Sequence, residues 1–183
     1  MPVVISLLRG INVSGQKKIK MAELKALYEA LGFERVTTYV QSGNVVFESG
    51  DDPATLAVRI REGIEDELGY AVSVMVRTLD EWRALVERNP YGKEAIENPK
   101  HLHVTLLDAP PDEGLLDAVR EVEDSICDFH LDAQAIYLYC PEGFGRTKLS
   151  NNFWERKLKV AATTRNWNTM NKLLELAEAA QAG

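Results

Sequence analysis

"VTTYVQSGNVVFES", residues 36–49, decides the fold. Its two β-rich runs meet at Ser42–Gly43, a step that reads as a tight strand connection. Just upstream, "MAELKALYEALG" (21–32) sets Met21, Leu24, Leu27, Tyr28 and Leu31 on one helical stripe, with Gly32 as its stop. "VVISLL" (3–8) is apolar at nearly every position, the pattern of a strand covered on both faces and therefore central. Downstream, "DDPATLAVRIREGIEDELG" (51–69) starts a helix at Asp-Pro and closes it on Gly69, with Leu56, Ile60, Ile64 and Leu68 forming its stripe. "AVSVMV" (71–76) alternates, placing Val72, Val74 and Val76 on one face. The order is β-α-β-β-α-β, the split βαβ or ferredoxin-like signature.

A similar order begins again after residue 100. "TLDEWRALVERNP" makes a connecting helix stopped by Pro90, and "YGKEAIENPK" (91–100) reads as a polar linker. "HLHVTLL" is a strand, "PPDEGLLDAVREVE" a helix, and "SICDFHL" with "QAIYLYC" a hairpin. "NNFWERKLKV" reads as a helix capped by Asn, and "NTMNKLLELAEAAQA" as the last helix, with a strand between them left open. The expected class is α+β: a ferredoxin-like lobe over 1–78, a connecting helix and linker over 79–99, and a second, smaller α+β lobe over 100–183.

The chain has 183 residues, of which 45% are hydrophobic and 27% charged, so it can bury a core without crosslinks. No apolar run approaches the roughly 18–20 residues needed to span a bilayer, and no leader pattern opens the chain, so no membrane partner and a cytoplasmic location are expected. Cys127 and Cys140 form neither a disulfide framework nor a metal pair. A turn near Ala133–Gln134 would set them opposite each other, and they are expected as reduced core thiols.

The net charge of −7 is unevenly spread. Residues 1–20 carry +4 and residues 144–172 carry +6, against −15 over residues 21–143. An acidic body with two basic segments suggests one anion-facing zone where those segments meet.

Three clusters could carry chemistry. In "RGINVSGQKKIK" (9–20), Gly10 and Gly15 permit left-handed backbone, while Lys17, Lys18 and Lys20 crowd a helix N-terminus that disfavours cations. Such a local conflict marks functional sites. The spacing is not that of a P-loop. In "YVQSGNVVF", Gln41, Ser42 and Asn44 cluster at a turn and can all donate to an oxyanion. In "KVAATTRNWNTMNKLL", Thr163, Thr164 or Asn166 can cap the final helix, and Arg165 with Trp167 can clamp an anion and stack a ring.

At "LLRGINV", "MAELKALYEALGF", "YVQSGNVVF" and "ATTRNWNTMNKL" the chain resembles the bacterial domain-of-unknown-function family 1697. The motifs run in order from residue 7 to residue 173. The resemblance implies a two-lobed α+β protein of ferredoxin-like topology and no particular activity. Its motif positions fall on Arg9, Gly10, Asn12, Gln41, Ser42, Gly43, Asn44, Thr164, Arg165, Asn166 and Trp167. One departure is Lys159, where the family's "KLGV" would put Gly; it places the local turn in doubt.

Other chemistries fare worse. "HVTL" at His103–Thr105 has the H-x-T form of two-histidine phosphoesterases, but the second such tripeptide is missing, and His101 and His130 do not supply it. Histidines at i and i+2 make no zinc site, so no metal is expected, and no cofactor motif occurs. An RNA-recognition sheet needs stacking aromatics on strands one and three, and only Phe47 is offered.

The expectation is an inter-lobe cleft for a small phosphate- or nucleotide-like anion. Arg9 and Arg165 would pair with it, Lys17 or Lys18 would add field, and Asn12, Asn44 and Asn166 would orient it. Gln41, Ser42 and Thr164 would complete the cleft, with Trp167 as its wall. The alternatives are an enzyme acting on such a ligand, or a non-catalytic nucleic-acid- or protein-binding module, the nucleic acid being disfavoured by the acidic net charge.

Overall fold

A computed structural model describes all 183 residues. The chain divides into two compact units, Met1–Ala84 with Lys172–Gly183, and Leu85–Asn171. Residues 172–183, expected with the second lobe, thus group with the first unit. There the Arg83 Nε donates to Glu178 at 3.1 Å, and Arg35 Nη1 to the Ala180 carbonyl at 3.0 Å.

The first unit runs β1 (Val3–Leu8), α1 (Met21–Ala30), β2 (Glu34–Tyr39), β3 (Asn44–Glu48), α2 (Pro53–Leu68) and β4 (Val74–Thr78), followed by the start of α3 (Leu79–Glu87). Its antiparallel sheet has the order β2-β3-β1-β4. All six residues of β1 are buried, as an apolar run on an inner strand requires. Val4, Leu8, Val45, Phe47 and Val76 meet Leu24, Leu27 and Tyr28 of α1 and Leu56, Ile60 and Ile64 of α2 in one core. Burying each large side chain there contributes about 1.5–3 kcal/mol. Ser6 enters this core because its hydroxyl and that of Tyr28 share a 2.8 Å hydrogen bond. The Asp52 carboxylate caps α2 by accepting from the Thr55 N–H, and Gly69, at φ +73°, ends it.

The second unit holds α4 (Gly92–Glu97), β5 (Leu102–Leu107), α5 (Glu113–Arg120), β6 (Asp128–Leu131), β7 (Ala135–Tyr139), α6 (Asn151–Leu158) and β8 (Ala162–Asn166). α7 (Trp167–Ala182) follows. Its sheet order is β6-β7-β5-β8, again antiparallel throughout. Leu107, Ile136 and Leu138 form its core with Val119 of α5 and Phe153, Trp154 and Leu158 of α6.

Four sequence expectations change. The linker at 91–100 is helical: Ala95 and Asn98 donate to the Tyr91 and Glu94 carbonyls, and Tyr91 is held by a hydroxyl donation to Asp128 at 3.0 Å. Ser150, not an asparagine, caps α6, its hydroxyl accepting from the Phe153 N–H. Thr163 and Thr164 lie inside β8 rather than at a cap, because β-branched residues suit a strand; Asn166 alone caps α7. Finally, Cys127 and Cys140 are joined as a disulfide, with Cα atoms 4.3 Å apart, because the hairpin register places them opposite each other.

No helix is long and apolar enough to cross a membrane.

Candidate functional site: a clamped basic loop

In the first unit, residues 9–20 leave β1 and fold into a small hairpin of their own. The Asn12 N–H donates to the Lys17 carbonyl and the Gln16 N–H to the Val13 carbonyl, at 3.1 and 2.9 Å. Ser14 and Gly15 between them both have positive φ, the geometry a two-residue turn of this hand demands. Gly10, Asn12 and Lys17 also sit at positive φ, so five positions within eight residues adopt the left-handed region. Non-glycine residues pay about 1–2 kcal/mol for that conformation. Something must hold them.

Asn12 does. Its Nδ2 donates to the Ile19 carbonyl at 2.9 Å and to the Gln41 carbonyl at 2.8 Å, while its Oδ1 accepts from the Ile19 N–H at 2.9 Å. One side chain thereby closes the loop on itself and ties it to the β2–β3 turn. Gly43 completes the join. At φ +82°, it has Leu8 Cβ and Ile11 Cδ1 only 2.8 and 2.7 Å from where a Cβ would stand, and its carbonyl accepts from the Leu8 N–H. The turn itself is fixed by Asn44, fully buried, whose Nδ2 donates to the Tyr39 carbonyl and to Ser42 Oγ. Val40 in this turn carries φ +52°, a rare state for a β-branched residue, and is half exposed.

The loop carries four cations and no acid. Lys17 Nζ donates to the Ala71 carbonyl at 2.7 Å, and its ammonium has no carboxylate partner. Lys18 and Lys20 are exposed and make no ion pair. Arg9 is half-buried at the end of β1, with its backbone N–H on the Ser73 carbonyl. Gln41 and Ser42 are exposed at the turn. So the structure brings together Arg9, Asn12, Lys17, Lys18, Gln41, Ser42 and Asn44 on two adjoining loops of one unit.

The other group lies in the second unit. Arg165 is 8% exposed on β8 and donates Nη1 to Thr163 Oγ1 at 3.0 Å and to the Thr164 carbonyl at 2.9 Å. Burial lowers its pKa to about 10, so it stays charged at neutral pH. Thr164 Oγ1 bonds Thr105 Oγ1 at 2.7 Å and donates to Asn151 Oδ1 at the same distance. Asn166 Oδ1 accepts from the Thr169 N–H at 2.8 Å, capping α7, and Trp167 is buried in the first turn of that helix. The amides of Asn12, Asn44 and Asn166 are thus engaged by backbone, and the exposed ammonium groups of Lys18 and Lys20 carry positive charge at the surface of the loop.

Arg77 is the residue that sequence reading passed over. It is the fourth residue of β4, with Nη1 donating to the Val76 carbonyl at 3.0 Å, the same bond Arg165 makes on β8. The shared "Arg then cap residue then helix" order in "VMVRTLDE" and "ATTRNWNT" carried that signal.

His103 stacks on Phe144 with ring centroids 4.5 Å apart, and Thr105 is fully buried in its hydroxyl chain, so the H-x-T pair presents no acid–base couple. Phe47 is fully buried against Phe33 and Tyr28, leaving no base-stacking aromatic on β3. No group of three or more His, Cys, Asp or Glu side chains could hold a metal. A groove of about 670 Å³ runs between α1 and α2, lined by Leu27, Leu31 and Gly63 with Glu62, Asp66 and Glu67; none of the expected site residues lines it.

A family profile described as "Protein of unknown function (DUF1697)" matches residues 1–137. No curated protein matches. Among solved structures, the conserved bacterial protein SP0830 from Streptococcus pneumoniae superposes with a TM-score of 0.73 at 24% identity, over 96% of this chain and 98% of that one. The likeness establishes the α+β fold. The chain belongs to the DUF1697 family.

Proposed function

We propose that this member of the DUF1697 family binds a small anionic ligand, phosphate- or nucleotide-like, on the clamped loop of residues 9–20. The observation that carries the reading is the loop's own chemistry. Arg9, Lys17, Lys18 and Lys20 are concentrated on twelve residues without an acid, in a backbone held at five left-handed positions by the Asn12 clamp. Strained backbone that surrounding bonds over-determine is a feature of ligand-holding segments. A loop ordered before binding also loses less entropy on binding. Ser42, beside it on the β2–β3 turn, supplies a hydroxyl for an oxyanion. The sheet order β2-β3-β1-β4 with two crossover helices supports a ferredoxin-like reading of this unit.

Isothermal titration with orthophosphate, pyrophosphate and a panel of nucleoside mono-, di- and triphosphates tests the proposal. Saturable heat from at least one of these, lost when Lys18 is changed to Glu, is the expected result. A panel without saturable binding refutes it.

A further inference from the structure

We propose that Cys127 and Cys140 form a thiol–disulfide exchange site, entered through Cys127 and selective for small cationic or neutral disulfides over anionic ones. The pairing follows from the hairpin. Asp132 donates its N–H to the Ala135 carbonyl, closing the β6–β7 turn with a hydrogen-bonded pair. Such pairs alternate with non-bonded ones along an antiparallel ladder, so Leu131–Ile136, Phe129–Leu138 and Cys127–Cys140 are all non-bonded pairs. Non-bonded pairs bring Cα atoms to about 4.5 Å with side chains on one face, and the observed 4.3 Å fits. Consistently, the Cys140 N–H turns away to the His101 carbonyl.

The two sulfurs differ in access. Cys140 is fully buried, whereas Cys127 is 5% exposed and lines a surface cavity of about 560 Å³. Four charged side chains line that cavity with it: Glu123, Asp124, Asp128 and Lys148. The lining is net acidic, which repels anionic reagents such as glutathione disulfide and favours cationic ones. Lys148, whose Nζ also holds the Glu123 carbonyl at 2.6 Å, is the one local cation to support a Cys127 thiolate.

In the reduced protein, the Cys127 thiolate attacks one sulfur of the reagent disulfide, breaks its S–S bond and expels one thiolate, which takes a proton from water. Cys140 then gives its proton to solvent, attacks Cys127 Sγ and expels the second reagent thiolate. Two protein thiols are oxidised and one reagent disulfide is reduced to two thiols. Running backwards, a small thiolate attacks Cys127 Sγ and Cys140 leaves.

Intact-mass measurement on Cys140→Ser and Cys127→Ser, each treated with cystamine under native conditions, tests the assignment. Cys140→Ser should gain one cysteamine group, several-fold faster than it gains a glutathionyl group from glutathione disulfide, with the gap narrowing at high salt. Cys127→Ser should gain none. Labelling of Cys140 in Cys127→Ser at an equal rate overturns the proposal, and so does failure of Cys140→Ser to react, or a preference for glutathione disulfide. Should either variant fold poorly, wild type reduced with dithiothreitol and pulse-alkylated with iodoacetamide gives an independent reading: peptide mapping should find Cys127 modified before Cys140. The reverse order overturns it.

Discussion

Arg77 and Arg165 hold the same place in the two units. Each is the fourth residue of its unit's last strand, and each stands opposite the third residue of that unit's first strand, Ile5 or Val104. Each donates Nη1 to the carbonyl just before it, and each is followed by a residue whose side chain caps the next helix, Thr78 or Asn166. The matching sheet orders make the two units topological repeats, although the sequence shows no repeat.

That equivalence separates the two arginines energetically. Arg165 is buried and bonded to Thr163 Oγ1 as well, while Arg77 is only half-buried. Arg165→Met should therefore cost about 1.5–3 kcal/mol, in the range for hydrogen bonds to a charged group. Arg77→Met should cost less. Urea denaturation monitored by circular dichroism ranks them.

Asn12 is the keystone of the basic loop. Asn12→Ala removes three hydrogen bonds and leaves a Cβ residue at positive φ, so stability should fall by about 2–4 kcal/mol. Asn12→Asp keeps the acceptor for the Ile19 N–H but turns both donor contacts into repulsion with the Ile19 and Gln41 carbonyls, so it should rescue little. Thermal melts of the two variants decide this.

Lys159 stands where the family resemblance implies Gly, and it closes α6 in the left-handed region at φ +60° with its N–H on the Glu155 carbonyl. The turn survives the substitution at a conformational cost. Lys159→Gly should raise stability by about 1 kcal/mol, read as a higher denaturation midpoint at unchanged slope.

His103 gives a pH signature. Burial lowers its pKa below the ordinary histidine value, outweighing the His101 carbonyl that would raise it. The folded state therefore binds this proton later than the unfolded chain does. Stability on this account is intact above about pH 6.5 and declines as pH falls below it, because the unfolded state takes up the proton first. His103→Gln should flatten the fall in stability that sets in as pH drops below about 6.5. Asp124 acts in a lower window. Burial pushes its carboxyl up, but the N–H groups of Ile126 and Cys127 and the Thr147 hydroxyl together outweigh it and hold the pKa low, so its contribution disappears only below about pH 4.

The elements whose hydrophobic period is unbroken were legible in the sequence. "VVISLL" is an inner strand, the α1 and α2 stripes face one core, and Gly32 and Gly69 stop their helices at positive φ. The rest turns on information that spacing does not carry. A polar six-residue helix such as α4 buries nothing and so leaves no period to read. Thr163 and Thr164 suit a cap and a strand equally, and pairing with β5 decides for the strand. The basic loop was legible as a cluster of charge, yet Asn12 as its clamp was not, because a left-handed asparagine is set by contacts 7 and 29 residues away. The disulfide depends on hairpin register, which two cysteines thirteen residues apart do not by themselves fix.

Lys18 offers the most direct test of the basic loop as an anion seat, since it is exposed and makes no bond on which folding depends. Differential scanning fluorimetry of wild type and Lys18→Glu should be run with orthophosphate, pyrophosphate and nucleotides at equal ionic strength. Wild type should melt higher with at least one anion, by an amount that grows with its concentration, and Lys18→Glu should melt unchanged without ligand and lose most of that rise. Identical anion responses in the two proteins, or none in either, would contradict the account.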